Sequence, residues 1–211
     1  MLDVACGTGI VTRRLRRAGR TVPGVDRWEG MLGPAARRMP GAVVLGDAAR
    51  LPLPRGSVDA VVIVWLLRLL PEPTAVLAEA ARVLEPGGVL VTAVDKDKGY
   101  FVPDSDIARV TAALRERHRP RVPDGRARVL ARAAGLGLRP AGETVFAGAG
   151  QGRSPRRWRE VFAWGRTPWC AHAEPARVAE VCERLTALPE QDRPRPDPLY
   201  RLVTLRKKGA P

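Results

Sequence analysis

The sequence predicts an α/β fold built on a mostly parallel sheet. Over the first hundred residues, short apolar runs alternate with amphipathic or turn-rich stretches. One of these runs, Ala60 to Leu66, is continuously apolar, and a glycine-rich turn, Cys6-Gly7-Thr8-Gly9, joins the first run to a helix-like segment. Strands separated by helices form right-handed βαβ crossovers. An unbroken apolar run is what a strand needs when both of its faces are covered.

The strand-like runs are Leu2–Cys6, Thr21–Val25, Ala42–Leu45, Ala60–Leu66 and Val89–Val94, with helix-like segments near Val11–Ala18, Met31–Arg38 and Thr74–Leu84 between them. Past residue 100, a helix near Asp104–Arg117 has Asp104 or Ser105 as its cap, and a second near Arg126–Ala134 stops at Gly135. Leu138–Phe146 and Leu199–Arg206 read as two more strands. The stretch between them is rich in Pro and Arg and holds two short helices. One of these starts at Ser154-Pro155 and places Trp158, Val161 and Phe162 on one stripe. Residues 1–148 with 199–211 are therefore expected to form one domain. Residues 149–198 are expected to be a helical, aromatic-containing insertion between the last two strands, a cap or substrate region.

With 211 residues and 45% hydrophobic content, the chain can bury one sizeable core, which a disordered chain could not. The run around Ala60–Leu70 is broken by Arg68 and falls short of the ~20 apolar residues of a spanning helix, so no membrane partner is expected. Of 36 basic residues only Lys96, Lys98, Lys207 and Lys208 are lysine, and the net charge is +14. The excess lies mostly beyond residue 100. No basic run is interleaved with stacking aromatics, so nucleic acid is disfavoured as a partner. Cys6, Cys170 and Cys182 form no CxxC pair, which fits neither a disulfide framework nor a zinc site and suits a reducing cytoplasm; no metal site is expected.

The most specific feature stands at the start: a strand, Leu2-Asp3-Val4-Ala5-Cys6, runs into Gly7-Thr8-Gly9 and then a helix. Glycines there let the backbone approach a ligand, and a helix N-terminus presents unpaired N–H groups to it. A dinucleotide-binding turn would carry a third glycine where Thr12 stands, and an acid at Asp3 suits a ligand with positive charge better than a pyrophosphate. Asp26 ends the second run, where one carboxylate can take both hydroxyls of a ribose. Asp47 follows the third, where a carboxylate can accept from an adenine amino group. Acids at the carboxyl ends of three successive parallel strands line one crevice.

These residues resemble the class I S-adenosylmethionine-dependent methyltransferases, in particular the group that includes the ubiquinone- and menaquinone-biosynthesis type enzymes. The resemblance is carried by Leu2–Gly9, by Gly24-Val25-Asp26 with Gly30-Met31-Leu32, and by Gly46-Asp47-Ala48 with Leu51-Pro52. It continues through Val58-Asp59-Ala60-Val61-Val62 and Arg82-Val83-Leu84-Glu85-Pro86-Gly87-Gly88. It implies a Rossmann-like, doubly wound sheet of seven strands with an antiparallel last strand and helices on both faces. The implied cofactor is S-adenosyl-L-methionine. Carried over by position, Asp3, Ala5, Cys6, Gly7 and Gly9 would face its methionine portion and Asp26 its ribose. Arg27 and Met31 would pack beside the adenosine, Asp47 and Ala48 would read the adenine, and Val64 and Trp65 would lie beside the transferable methyl.

The chain departs from that family in two ways. The family usually places a helical segment before the first strand, whereas Met1 falls almost on that strand; either the start is assigned too late, or a partner or residues 149–198 serve as the lid. The fourth-strand motif often carries a His where this chain has Arg68, which removes an obvious base, and no catalytic residue is assigned. Trp65, Arg68, Tyr100 and His172 are the candidates for the acceptor side. The expected acceptor is a small molecule, with a homo-oligomer allowed. The alternatives are an RNA-directed enzyme using the arginines of 115–132 and 153–166, and an inactive, cofactor-binding partner subunit.

Overall fold

A computed structural model describes residues 1–118, 122–165, 167–171 and 173–209. Seven strands form one sheet in the order β3-β2-β1-β4-β5-β7-β6, flanked by helices on both faces. β1 (Leu2–Val4), β2 (Gly24–Asp26), β3 (Val43–Leu45), β4 (Val58–Ile63) and β5 (Leu84–Val94) run parallel, and β7 (Leu199–Lys207) pairs antiparallel with β5. β6 spans Leu138–Ala147. The chain fills the sheet outward from β1 to β3, then returns to lay β4 on the other side of β1, so the order reverses between β1 and β4. That reversal opens a crevice at the carboxyl ends of these strands, where ligands of open α/β sheets bind.

Each element follows from local sequence. α1 (Ile10–Leu15) is shorter than the apolar pattern predicted, because Arg13, Arg14, Arg16 and Arg17 crowd like charges at helical spacing and Arg16 is already extended. α2 covers Glu29–Arg38. α3 (Thr74–Val83) buries Val76, Leu77, Ala80, Ala81 and Val83, the stripe expected of a helix laid on a sheet. β5 begins earlier than Val89. Gly87, at φ 80°, carries the chain through an irregularity opposite Val58 and Ala60, and a Cβ on Gly88 would lie 2.9 Å from the Asp59 carbonyl. Ser105 caps α4 (Asp106–Arg117) by accepting from the Ala108 amide, and α5 covers Arg126–Gly135.

The described chain divides into two units. The first comprises Met1–Val94, Pro123–Thr144 and Arg201–Pro211, and its core joins Leu2, Val4, Val61, Ile63, Leu84 and Leu90 of the sheet to Leu77 of α3 and Val129 of α5. The second comprises Asp95–Val122 and Val145–Tyr200, a larger body than residues 149–198. Its helices α6 (Pro155–Ala163) and α7 (Pro175–Thr186) share one core with α4. Phe101, Ile107 and Leu114 pack there with Trp158, Phe162, Trp169 and Leu185. Aromatic rings in 149–198 need apolar partners, and Tyr100 and Phe101 meet Trp158 with ring centroids 5.9 and 5.1 Å away. Among the described residues, no helix is long and apolar enough to cross a membrane.

Candidate functional site

The first unit contains a cavity of about 590 Å³ at the carboxyl ends of β1, β2, β3 and β4. That is within the roughly 300–1,000 Å³ of small-molecule sites. Its lining gathers Asp3, Ala5, Cys6, Gly7, Asp26, Arg27, Met31, Asp47, Ala48, Val64 and Trp65, which are the residues the sequence singled out for cofactor and methyl, Gly9 excepted. Gly9 instead caps α1 at φ 78°, and a Cβ there would fall 2.6 Å from the Met39 side chain, so this glycine lets the loop close onto α2.

Register brings the acids together. Asp3 pairs with Gly24 and Asp26 with Leu45, so successive strand ends present Asp3, Asp26 and the post-strand Asp47 toward one opening. The Asp26 carboxylate is nearly buried and accepts from the Gly7 amide (2.8 Å) through one oxygen and from the Trp28 amide (2.9 Å) through the other. A carboxylate has about four acceptor positions, so both oxygens retain capacity for a ligand's hydroxyls. Asp47 is exposed and caps its own turn by accepting from the Ala49 amide at 2.8 Å.

Asp3 lies deepest, 2% exposed, and accepts a 2.5 Å bond from the Thr12 hydroxyl. Burial raises its pKa to about 6; Thr12 opposes that rise and the neighbouring Asp26 adds to it. Burial, with the charges of Asp3 and Asp26, pushes the Cys6 thiol up to about 12, so Cys6 lines the cavity as an inert apolar group. Two non-glycine residues beside β1 and β4 hold left-handed backbone, Ala5 at φ 58° and Trp65 at φ 67°. Each such residue costs of order 1–3 kcal/mol, and such strain clusters at ligand sites.

The other acceptor-side candidates fall differently. Arg68 is half-buried in the 3-10 turn Leu67–Leu69, and its neighbours Leu66, Leu69 and Leu70 line the cavity rather than Arg68 itself. Tyr100 belongs to the second unit, where the Arg153 guanidinium stacks 4.4 Å from its ring and 4.9 Å from that of Trp158. His172 lies outside the described residues. Sequence reasoning passed over Thr12, Trp28, Leu69 and Glu72. Thr12 had a signal: it stands where a third glycine would, one turn into the helix that faces Asp3.

A pre-formed, acid-lined crevice with a glycine turn at the switch point suits a cationic nucleoside ligand, and similarity to known proteins agrees. Residues 2–92 match the family model described as a methyltransferase domain. The chain is 45% identical to the demethylmenaquinone methyltransferase of Renibacterium salmoninarum over 94 residues, 44% of this chain and 40% of that protein. It is 36% identical to the malonyl-[acyl-carrier protein] O-methyltransferase of Serratia marcescens over 92 residues, 43% of this chain and 36% of that protein. It thus spans about two fifths of the length of such relatives. Among solved structures, an S-adenosylmethionine-dependent methyltransferase from Mesorhizobium loti shares the fold with a TM-score of 0.57 and 19% identity, over 98% of this chain and 90% of the other.

Residues 2–92 thus resemble a methyltransferase domain, and the fold is the one that S-adenosylmethionine-dependent methyltransferases share. Within the matched stretch, the similarity is to demethylmenaquinone methyltransferases.

Proposed function

We propose that this chain transfers the methyl group of S-adenosylmethionine to a small-molecule acceptor. The single observation that carries this reading is the convergence of Asp3, Asp26, Asp47 and the Gly7 turn on one cavity that also reaches Val64 and Trp65. When bound, S-adenosylmethionine supplies an electrophilic methyl on a cationic sulfonium. Asp26 would hold the ribose hydroxyls, Asp47 and Ala48 would read the adenine edge, and Asp3 would supply negative charge toward the methionine end. Transfer is an in-line displacement that disperses positive charge, so the chain's main contribution is to hold the two reactants in line and keep water out. Trp65, Leu66 and Leu69 form the apolar boundary suited to that exclusion.

Among the described residues, several of the arginines invoked for an RNA acceptor are engaged within the protein. Arg156 pairs with Asp192, Arg157 with Glu160, Arg126 with Glu143 and Arg132 with Glu72, while Arg115 lies over the Phe101 ring. The free cysteines fit a cytoplasmic location. The test is to supply S-adenosylmethionine labelled in the methyl group together with fractionated cell extract. Label in the small-molecule fraction is the expected result. Label confined to RNA or protein, or none in any fraction while S-adenosylhomocysteine binds, contradicts the proposal.

A further inference from the structure

One cation of the second unit stands over aromatic rings rather than beside an acid. Arg153 is half-buried, its guanidinium carbon 4.4 Å from the Tyr100 ring centroid and 4.9 Å from that of Trp158. Those two rings meet edge to face at 5.9 Å and form one platform beneath the charge. A guanidinium laid over a ring uses its face and leaves its N–H fork for an anion. Among the described residues, Arg153 pairs with no carboxylate. The acids on the adjoining segments are committed elsewhere. Asp106 accepts from Arg195 at 2.7 Å, and Asp197 accepts from the amides of Gly150 (3.1 Å), Gln151 (2.9 Å) and Gly152 (2.8 Å). Asp197 thereby clamps the loop that carries Gln151 and Arg153, and the Arg195 amide donates to the Arg153 carbonyl at 3.2 Å.

A recess of about 10 Å³, room for one water-sized group, is lined by Arg153 together with Ser105, Gln151, Trp158 and Arg195. Gln151 accepts the Tyr200 hydroxyl through Oε1 (2.7 Å), so its Nε2 keeps its protons for another acceptor. Ser105 Oγ accepts from the Ala108 amide (3.1 Å) and retains its own proton to donate. Arg195 is spent on Asp106 and on the carbonyls of Pro189, Glu190 and Arg193. One unmatched positive charge therefore faces a recess that admits a single oxygen. A carboxylate matches both: it is flat, carries one charge, and fits two oxygens to a guanidinium fork. A phosphate would bring a third oxygen and further charge to a recess whose second cation is already paired. We propose that this recess of the second unit binds a small organic carboxylate, with Arg153 pairing its oxygens and Gln151 and Ser105 donating to them. Pro196 and Pro198 on the same lining give an apolar body something to rest on. The site lies wholly within the second unit and does not depend on the methyl-transfer reading.

The test titrates benzoate, benzamide and inorganic phosphate separately into the full chain at neutral pH and constant ionic strength. Binding is read from the side-chain N–H resonances of Arg153 and Gln151. The expected result is saturable movement of both resonances with benzoate, half-complete below about 10 mM, and at least about tenfold weaker binding of benzamide. Phosphate should bind more weakly than benzoate. Arg153→Gln should weaken benzoate about tenfold or more. Gln151→Glu, at an exposed position, keeps an acceptor for the Tyr200 hydroxyl and sets a carboxylate of its own beside Arg153. It should weaken benzoate to a similar degree, and it carries the test if Arg153→Gln does not fold. Absence of saturable benzoate binding at these two resonances would overturn the proposal. So would benzamide binding as tightly as benzoate, phosphate binding as tightly or more so, or unchanged benzoate affinity in either folded variant.

Discussion

The Thr12 hydroxyl donates to the Asp3 carboxylate across 2.5 Å, both groups being buried beneath the glycine turn. The bond ties the first turn of α1 to the middle of β1 and lets an acid remain where solvent does not reach. Thr12→Val keeps the shape and removes the donor. Leaving a buried acceptor short of its partner costs about 1–3 kcal/mol. It also removes the group that restrains the pKa of Asp3, so more of Asp3 is protonated near neutrality. Denaturant unfolding and calorimetric titration with S-adenosylmethionine should both show a loss.

The pH dependence has a definite sign. Asp3 is raised from 3.8 to about 6 in the folded protein, so between these values the native state binds more protons than the unfolded chain. Its contribution to stability is therefore greatest below about pH 4, declines as pH rises toward 6, and stays at that lower level above. A cationic cofactor prefers the ionised acid, so its affinity should fall as pH drops from about 7 to about 5. Asp3→Asn should abolish that slope in a pH series of binding isotherms. A slope that survives in the variant assigns the titration elsewhere.

Asp3→Asn should also separate stability from function. The amide oxygen still accepts from Thr12, and the buried charge is gone, so the variant is expected to be more stable at about pH 8 by about 0.5–2 kcal/mol while binding the cofactor more weakly. Equilibrium unfolding in mildly alkaline buffer beside a titration at the same pH checks both halves.

Gly24 holds the loop close. A Cβ at this position would stand 2.7 Å from the Cys6 sulfur and 2.8 Å from its Cβ, so Gly24→Ala forces β2 and the β1 turn apart. Overpacking of this kind costs about 1–3 kcal/mol. The Gly7–Asp26 bond should loosen with it, and unfolding and cofactor titration should both register the change.

Arg82 fastens the segment beyond Asp47. Its guanidinium donates to Glu79 and to the carbonyls of Leu51 (3.0 Å) and Leu53 (2.8 Å), while Glu79 accepts from the Leu51 amide at 2.7 Å. Contact with Arg82 holds the Glu79 carboxyl below its ordinary range, so the latch persists above the usual carboxylate pKa and weakens as pH falls through that lowered value. Arg82→Ala should lose stability by about 1.5–3 kcal/mol and should weaken the cofactor through the adenine side.

Much of this was legible because the site is written at strand ends. Asp3, Asp26 and Asp47 each lie within, end or follow an apolar run, and parallel pairing alone puts such strands' ends side by side. The irregular positions were not legible in that way. Gly9 belongs to the same glycine turn as Gly7, and its φ of 78° brings it close against Met39. The partnership of Tyr100 and Phe101 with Trp158 depends on packing between segments far apart in sequence, which composition does not reveal. Glu72 follows a proline with no pattern to mark it, and the turn through Leu67–Leu69 precedes its arrival at the cavity wall.

The central claim is that the acid-lined cavity binds S-adenosylmethionine through Asp26. Calorimetric titration of S-adenosylhomocysteine into the original protein and into Asp26→Ala tests it most directly. Saturable one-to-one binding to the original protein is expected, and none to a variant whose circular dichroism is unchanged. Absence of binding to the original protein at millimolar ligand, or equal affinity in the two proteins, would contradict it.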